Sequence, residues 1–357
     1  MVTKSLFFEL IQISIGVRDC FSKVPTTQDW IYLYKFSQAQ ALVGVCFAGI
    51  TVLFQHYPEQ TNNLSAELKM KWLGESIQVQ QRNALMNHYV IDTLTFFREK
   101  GFPCEILKGQ GIALLYGNLS SYRQSGDIDI WLTGGREKIY SLSQDVLGTI
   151  TGANYHHIHF PLYDEVEIEA HIYPSFLSSP IYNKRLHIFF KQYQPYDGCE
   201  DFPSLDFNRI FILLHCYRHL CGHGVGLRQL MDYYFVLIQG FTEEERKDTI
   251  HWCQMLGMTR FVSAVMWVMK SVFNLNDNFL LCEPNDTEGE FLLEEILKTG
   301  NMGHNDNRFN WAHKNALRRF LVSQNRNLHL VTHYPQEVCW SPVFNIIRFC
   351  WQKIRGI

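Results

Sequence analysis

The sequence predicts an α+β protein: a small sheet with its own helices, held between two helical regions. Three observations predict this class. Up to about residue 100 the apolar positions recur three and four apart, the helical period. Between Cys104 and Tyr173 the pattern changes to short apolar or alternating runs punctuated by glycine. Beyond Asp206 the helical period returns. The expected divisions are a helical region over 1–95 packed on the central unit, the α+β unit over 96–195, and a helical domain over 196–357. With 357 residues, 46% of them hydrophobic and 19% charged, the chain has the material for such cores and does not read as disordered.

The first clear element is the helix in "SAELKMKWLGESIQVQQRNALMNHYVIDTLTFFREKG". Ser65 marks its start, and Gly101 followed by Pro103 marks its end. "CEILKG" is a short apolar run and predicts a strand. "GIALLYG" predicts a short helix, "GDIDIWL" an alternating strand, and "GREKIYSLSQDVLG" another helix. "YHHIHFPLYDEVEIEAHIY" holds two alternating runs that turn near Asp164 and predicts a β-hairpin. "PYDGCEDFPSLD" is rich in turn formers and acids and reads as a connector. Three helices follow: "FNRIFILLHCYRHLCGHG", stopped by Gly222 and Gly224, then "GLRQLMDYYFVLIQ", then "TEEERKDTIHWCQML" behind a Thr–Glu cap.

Composition narrows the function classes. A formal net charge of −3 argues against broad electrostatic binding of duplex nucleic acid. The ten cysteines are scattered with no C-x-x-C pair, so reduced thiols are expected. Glu9 interrupts the apolar N-terminus, which does not read as a signal peptide. The longest uncharged run, Ala39 to Phe54, is shorter than the ~20 residues of a membrane span. The expectation is a cytoplasmic protein with no integral membrane association.

The chemistry concentrates in "YRQSGDIDIWL". Residues i and i+2 of a strand share a face, so Asp127 and Asp129 project together while Ile128 and Ile130 point to the core. Paired carboxylates repel unless water or a cation lies between them, and Mg²⁺ is commonly held by one or two carboxylates plus substrate phosphates. Alone, D-x-D is a weak signal, and its ordinary reading is the solvated edge of a sheet. Upstream, in "ILKGQGIALLYG", Gly109 follows a strand and opens a helix, with Lys108 beside it. Arg123 and Ser125 precede the aspartates, where they could meet a triphosphate. Downstream, Glu165, Glu167, Glu169 and His171 share a face, and any of the three acids could supply a third carboxylate. Alternating acids are also the ordinary wet face of an edge strand.

The combination "LKGQGIALLYG", "R-x-S-x-D-I-D-I" and "E-A-H" resembles the nucleotidyltransferase superfamily, the fold of DNA polymerase beta. It is most similar to a bacterial family of uncharacterised nucleotidyltransferases. The resemblance covers residues 104 to 175 and, more loosely, "HCYRHLCGHGVGLRQLMDYYFVL". It implies a catalytic domain in which Asp127, Asp129 and Glu169 hold Mg²⁺ or Mn²⁺, with Glu169 assigned by the family's acid-x-His pattern. It implies Lys108, Gly109, Arg123 and Ser125 on the triphosphate of an NTP such as ATP. Arg228 then faces the nucleotide or braces the catalytic strand; the spacing alone gives an i,i+4 ion pair with Asp232. The reaction implied moves a nucleoside monophosphate to an acceptor that the sequence does not name (protein, RNA or small molecule). The alternative is a catalytically silent nucleotide-binding or protein-interaction module with the same fold.

Two further patterns carry less. His215, His219 and His223 are spaced four apart, but no zincin glutamate accompanies them, so zinc is not expected. The C-terminal "VCWSPVFNIIRFCWQKIRGI" reads as an aromatic helix docked on the body with Arg348, Lys353 and Arg355 outside; the alternative is a helix lying on a membrane surface.

Overall fold

A computed structural model of the chain describes residues 2–150, 152–306, 308 and 316–355. It opens with α1 (Val2–Ser14), α2 (Thr27–Ala39) and α3 (Val43–His56), then the long α4 (Ala66–Glu99). The hydroxyl of Ser65 accepts the backbone N–H of Leu68 and caps α4, as its sequence predicts. The central unit runs β1 (Cys104–Leu107), α5 (Gly109–Ala113), a 3₁₀ segment, β2 (Ile128–Leu132), α6 (Arg136–Leu147), β3 (His157–His159) and β4 (Ile168–His171). The predicted order of helices and strands is therefore the order found, an α+β arrangement.

The four strands form one mixed sheet in the order β1-β2-β4-β3. β1 pairs antiparallel with β2, β2 parallel with β4, and β3 antiparallel with β4. The β3–β4 hairpin has a longer connection than the alternation of "DEVEIEAHIY" suggests, because β4 begins only at Ile168. Glu165, ahead of it, is tethered to α4: its carbonyl accepts Arg82 Nη1 at 2.7 Å and its carboxylate accepts the Tyr89 hydroxyl at 2.9 Å.

Helices complete the molecule: α7 (Pro180–Gln192), α8 (Leu205–Gly222), α9 (Leu227–Leu237), α10 (Glu243–Met255), α11 (Thr259–Phe273), α12 (Asp286–Thr299), α13 (Ala316–Leu330), α14 (Pro335–Val338) and α15 (Ser341–Arg355). α7 lies where the sequence predicts no element, although Leu186, Phe189 and Phe190 carry helical spacing and are buried. The Thr242–Glu245 capping box opens α10.

Two hydrophobic cores result. One face of the sheet, with Ile106, Ile128, Ile130, Ile168 and Ala170, packs against Met86, Val90, Leu94 and Phe97 of α4 and Ile139 of α6. The other core joins α1–α3 to α7–α12, so residues from the 1–95 and 196–357 regions share one interior. Trp131 belongs to it, stacked on Phe207 of α8 with ring centroids 5.5 Å apart. β2 is thus buried on both faces, and the side of the sheet that bears Asp129 is covered by helices.

α15 docks through one face. Phe344 stacks on Phe176 at 4.8 Å, and the ring of Trp351 lies under the Arg136 guanidinium at 4.7 Å. Val343, Ile346, Ile347 and Phe349 are exposed. Of the three basic residues expected outside, Lys353 is exposed, the side chain of Arg355 lies outside the described residues, and Arg348 faces inward, one turn from Phe344. No helix among the described residues is long and apolar enough to cross a membrane.

Candidate active site

The site begins at a strained turn. β1 ends at Leu107, and Lys108 takes φ 42°, ψ −141° before Gly109 at φ 45°. A non-glycine residue in such a conformation costs on the order of 1–3 kcal/mol. The distortion aims the Lys108 ammonium at the D-x-D pair. Its Nζ lies 2.9 Å from Asp129 Oδ2 and 3.8 Å from Asp127 Oδ2. Asp129 is almost fully buried, whereas the Asp127 side chain remains 43% exposed.

Sheet register supplies the next group. Asp129 on β2 is the direct partner of Glu169 on β4. His171 stands one same-face step along, with Nε2 2.9 Å from Asp129 Oδ1 and 3.3 Å from Glu169 Oε2. His157 Nδ1 approaches the same glutamate oxygen at 3.2 Å. Asp129, Glu169 and His171 each offer a donor atom within 4.8 Å of the others.

These contacts set the protonation states. Burial works against charge on Lys108, but Asp127 and Asp129 hold its ammonium above the ordinary range. Burial likewise opposes the His171 cation, yet hydrogen bonds to Asp129 and Glu169 raise it to about 9. For Glu169 burial pushes upward, and the hydrogen bond and charge of His171, with His157 and Lys108, bring it down to about 2. Burial and the charge of His171 lower His157 to about 4, so it stays neutral.

All of these residues line one cavity of about 460 Å³, within the ordinary range for a small-molecule site. α8 forms its roof with His215, Arg218 and His219. Burial keeps His215 and His219 neutral, the latter at about 3. A smaller arm of about 40 Å³ shares Lys108, Asp127, His215 and His219 with this cavity and is lined also by Gly109, Arg123 and Arg228.

The other expected phosphate ligands are placed as follows. Arg123 is buried, lines the smaller arm, and grips Asp232 through Nε and Nη2 at 2.6 and 2.8 Å, leaving its buried Nη1 without a hydrogen-bond partner. Tyr116 donates to the same carboxylate at 2.7 Å. The i,i+4 ion pair expected between Arg228 and Asp232 is not formed, because Asp232 is held by Arg123. Arg228 instead donates to the Gln124 carbonyl at 3.3 Å and lines the arm. Ser125 is turned toward α4, with its hydroxyl between the side-chain amides of Asn83 and Gln110. Of the remaining acids, Glu167 is ion-paired with His159 and Glu165 is tied to Tyr89; neither lines the cavity.

Several positioning residues escape sequence reasoning. Asn83 of α4, buried, donates to the carbonyls of Ser121 and Arg123 at 2.6 Å each, holding the chain that leads into the D-x-D strand. Arg82 bridges the carbonyls of Glu165 and Gly126 at 2.7 and 3.2 Å. One signal was present: Asn83 falls on the stripe of α4 that also carries Trp72, Met86 and Val90, where a polar residue needs a partner. His156, Arg218 and Arg348 have no such local signal.

A family model described as "uncharacterised nucleotidyltransferase" matches residues 26–274. The match takes in α2 to α11 and therefore the whole sheet, the D-x-D pair and the roof helix. No curated protein and no solved structure matches the chain.

Proposed function

Because the chain belongs to this family of uncharacterised nucleotidyltransferases, we propose that it transfers a nucleoside monophosphate from an NTP to an acceptor hydroxyl, with a divalent cation at Asp127, Asp129 and Glu169. The observation that carries this reading is the register pairing of Asp129 with Glu169 in a cavity that also holds Asp127 and Lys108. Asp129 and Glu169 come together on neighbouring parallel strands with His171, and Asp127, just ahead of β2, lies farther off in the wall of the same cavity beside Lys108. Hard oxygen donors of this kind fit Mg²⁺ or Mn²⁺. Such an ion supplies charge neutralisation at the phosphates.

The chain's own residues do the rest. Lys108, drawn to Asp129 in the free protein, is within reach of a phosphate that takes its place. Arg228 and Arg123 line the arm beside Gly109 and would meet phosphate oxygens that reach it. The acceptor oxygen bonds to the α-phosphorus as the bond to the bridging α–β oxygen breaks. Pyrophosphate leaves with that electron pair. Glu169 lines the cavity beside its register partner Asp129 and is placed to take the hydroxyl proton at its carboxylate.

The test is incubation of the full chain with each α-³²P-labelled NTP, Mg²⁺ or Mn²⁺, and a cell lysate. Label should move to an acceptor fraction with the native chain and not with Asp127→Asn. Metal-dependent nucleotide binding without transfer would identify the silent module instead, and absence of both would overturn the reading.

A further inference from the structure

The cavity has a second charged end that nucleotide chemistry does not use. Arg218 of α8 and Arg348 of α15 line it together with His156 and Phe176. The charge of Arg218 is balanced. Its Nη1 lies 2.8 Å from Oε1 of buried Glu337, whose carboxylate also accepts the N–H and hydroxyl of Ser178. The Arg218 guanidinium rests 3.7 Å above the Phe176 ring, and Phe176 stacks in turn on Phe344.

Arg348 is one turn beyond Phe344, so the docking of that ring carries a guanidinium into the cavity wall. Among the described residues no carboxylate lies within ion-pair distance of it and no acceptor receives its N–H groups. Burial and the like charge of Arg218 both disfavour its cation. His156 offers no compensation: burial, the imidazoles of His171 and His157, and the two arginines keep it neutral. A largely buried cation whose neighbours are cationic or neutral costs stability unless an anion joins it.

The position of this end separates it from the triphosphate arm. Arg228, Arg123 and Gly109 line the smaller arm and do not border the space that Arg348 lines. His171, which contacts Asp129, lies with its ring centroid 5.4 Å from that of His156, and both share the cavity wall with Arg348. We propose that Arg348, supported by Arg218, binds an anionic group of the acceptor, a phosphate or a carboxylate, and so orients its hydroxyl toward the carboxylate site. This rests on the nucleotidyl-transfer reading, and it narrows the acceptor to molecules that carry an acid. The planar guanidinium offers paired N–H donors that match either group.

Thermal unfolding of the full chain tests it, at constant ionic strength, with inorganic phosphate in one arm and malonate in the other. Each anion is titrated onto the free protein and onto protein saturated with Mg²⁺ and a non-transferable ATP analogue, which fills the triphosphate arm. At least one anion should raise the melting temperature of the loaded protein saturably, and the stronger arm tells phosphate from carboxylate. Arg348→Gln should weaken that anion about ten-fold or more, leave analogue affinity within about two-fold, and itself melt no lower than the native chain, because it removes an uncompensated charge. Should Arg348→Gln fold poorly, Arg348→Lys keeps the charge, loses the fork and should show a smaller loss. An unchanged anion response in both variants, no response in the native chain, or a ten-fold loss of analogue affinity overturns the proposal. If the native chain binds no analogue, the nucleotidyl-transfer reading fails, and the titration of free Arg348→Gln against free Arg228→Gln still decides whether Arg348 holds an anion.

Discussion

Arg123 and Asp232, 109 residues apart, form a two-pronged buried ion pair at 2.6 and 2.8 Å, and Arg228 lines the smaller arm with only the Gln124 carbonyl as its acceptor. Removing one member of such a pair strands the other charge. Arg123→Ala should therefore destabilise the fold by about 3–5 kcal/mol. Arg228→Ala should leave stability nearly level, since it holds only one long bond to the Gln124 carbonyl. Its cost should fall on the triphosphate, with NTP affinity down about ten-fold or more and bare nucleoside affinity unchanged. Denaturant melts paired with calorimetric titrations separate the two arginines; equal effects of Arg228→Ala on nucleoside and NTP would remove it from the phosphates.

The two aspartates should differ in stability though not in activity. Asp129 is almost fully buried between Lys108 and His171, while Asp127 is partly solvated and farther from the ammonium. Asp127→Asn is expected to shift stability by no more than about 0.5 kcal/mol. Asp129→Asn loses charge-assisted bonds and is expected to cost about 1.5–3 kcal/mol in metal-free buffer. Both should abolish transfer. Equal melting temperatures for the two variants would contradict the buried contacts of Asp129.

Glu169 is the register partner of Asp129, and Glu167 is ion-paired with His159 outside the cavity. Glu169→Gln should reduce label transfer by about a hundred-fold or more, and Glu167→Gln should leave it within a few-fold. The rate of transfer at saturating NTP and metal is the measurement, and a larger loss from Glu167→Gln would move the third carboxylate to that residue.

Glu105 on β1 gives a pH dependence away from the site. Burial pushes its carboxyl up to about 7, against the moderating effects of Cys199 and Arg98. A folded value above the unfolded one means that its stabilising contribution is complete below about pH 4.5 and is lost as pH rises through 7. Glu105→Gln should therefore raise stability at pH 8 by about 1–2 kcal/mol, after allowance for the solvent that reaches the group, and change little at pH 4.5. Chemical denaturation at the two pH values checks it; an equal gain at both would assign the effect to packing.

The amino-acid sequence by itself determined what depends on local spacing. Alternation marked the strand that carries Asp129, although Asp127 falls just before its first residue. The Ser65 cap and the Gly101 stop bounded α4, and the turn near Asp164 joined β3 to β4. Such features follow from backbone geometry over a few residues, and the family is legible in the sequence over residues 26–274. Parity could not choose among Glu165, Glu167 and Glu169, because all three share it. The pairing of β2 with β4 sets Glu169 beside Asp129, since register is set by which residues the two strands bury together. Nor could spacing foresee that Asp232 would leave its helical neighbour Arg228 for Arg123, or that Arg348 would enter the cavity beneath α8. Those choices belong to packing between segments far apart in the chain, where burial makes each charge seek the partner that the whole fold, and not the local helix, brings within reach.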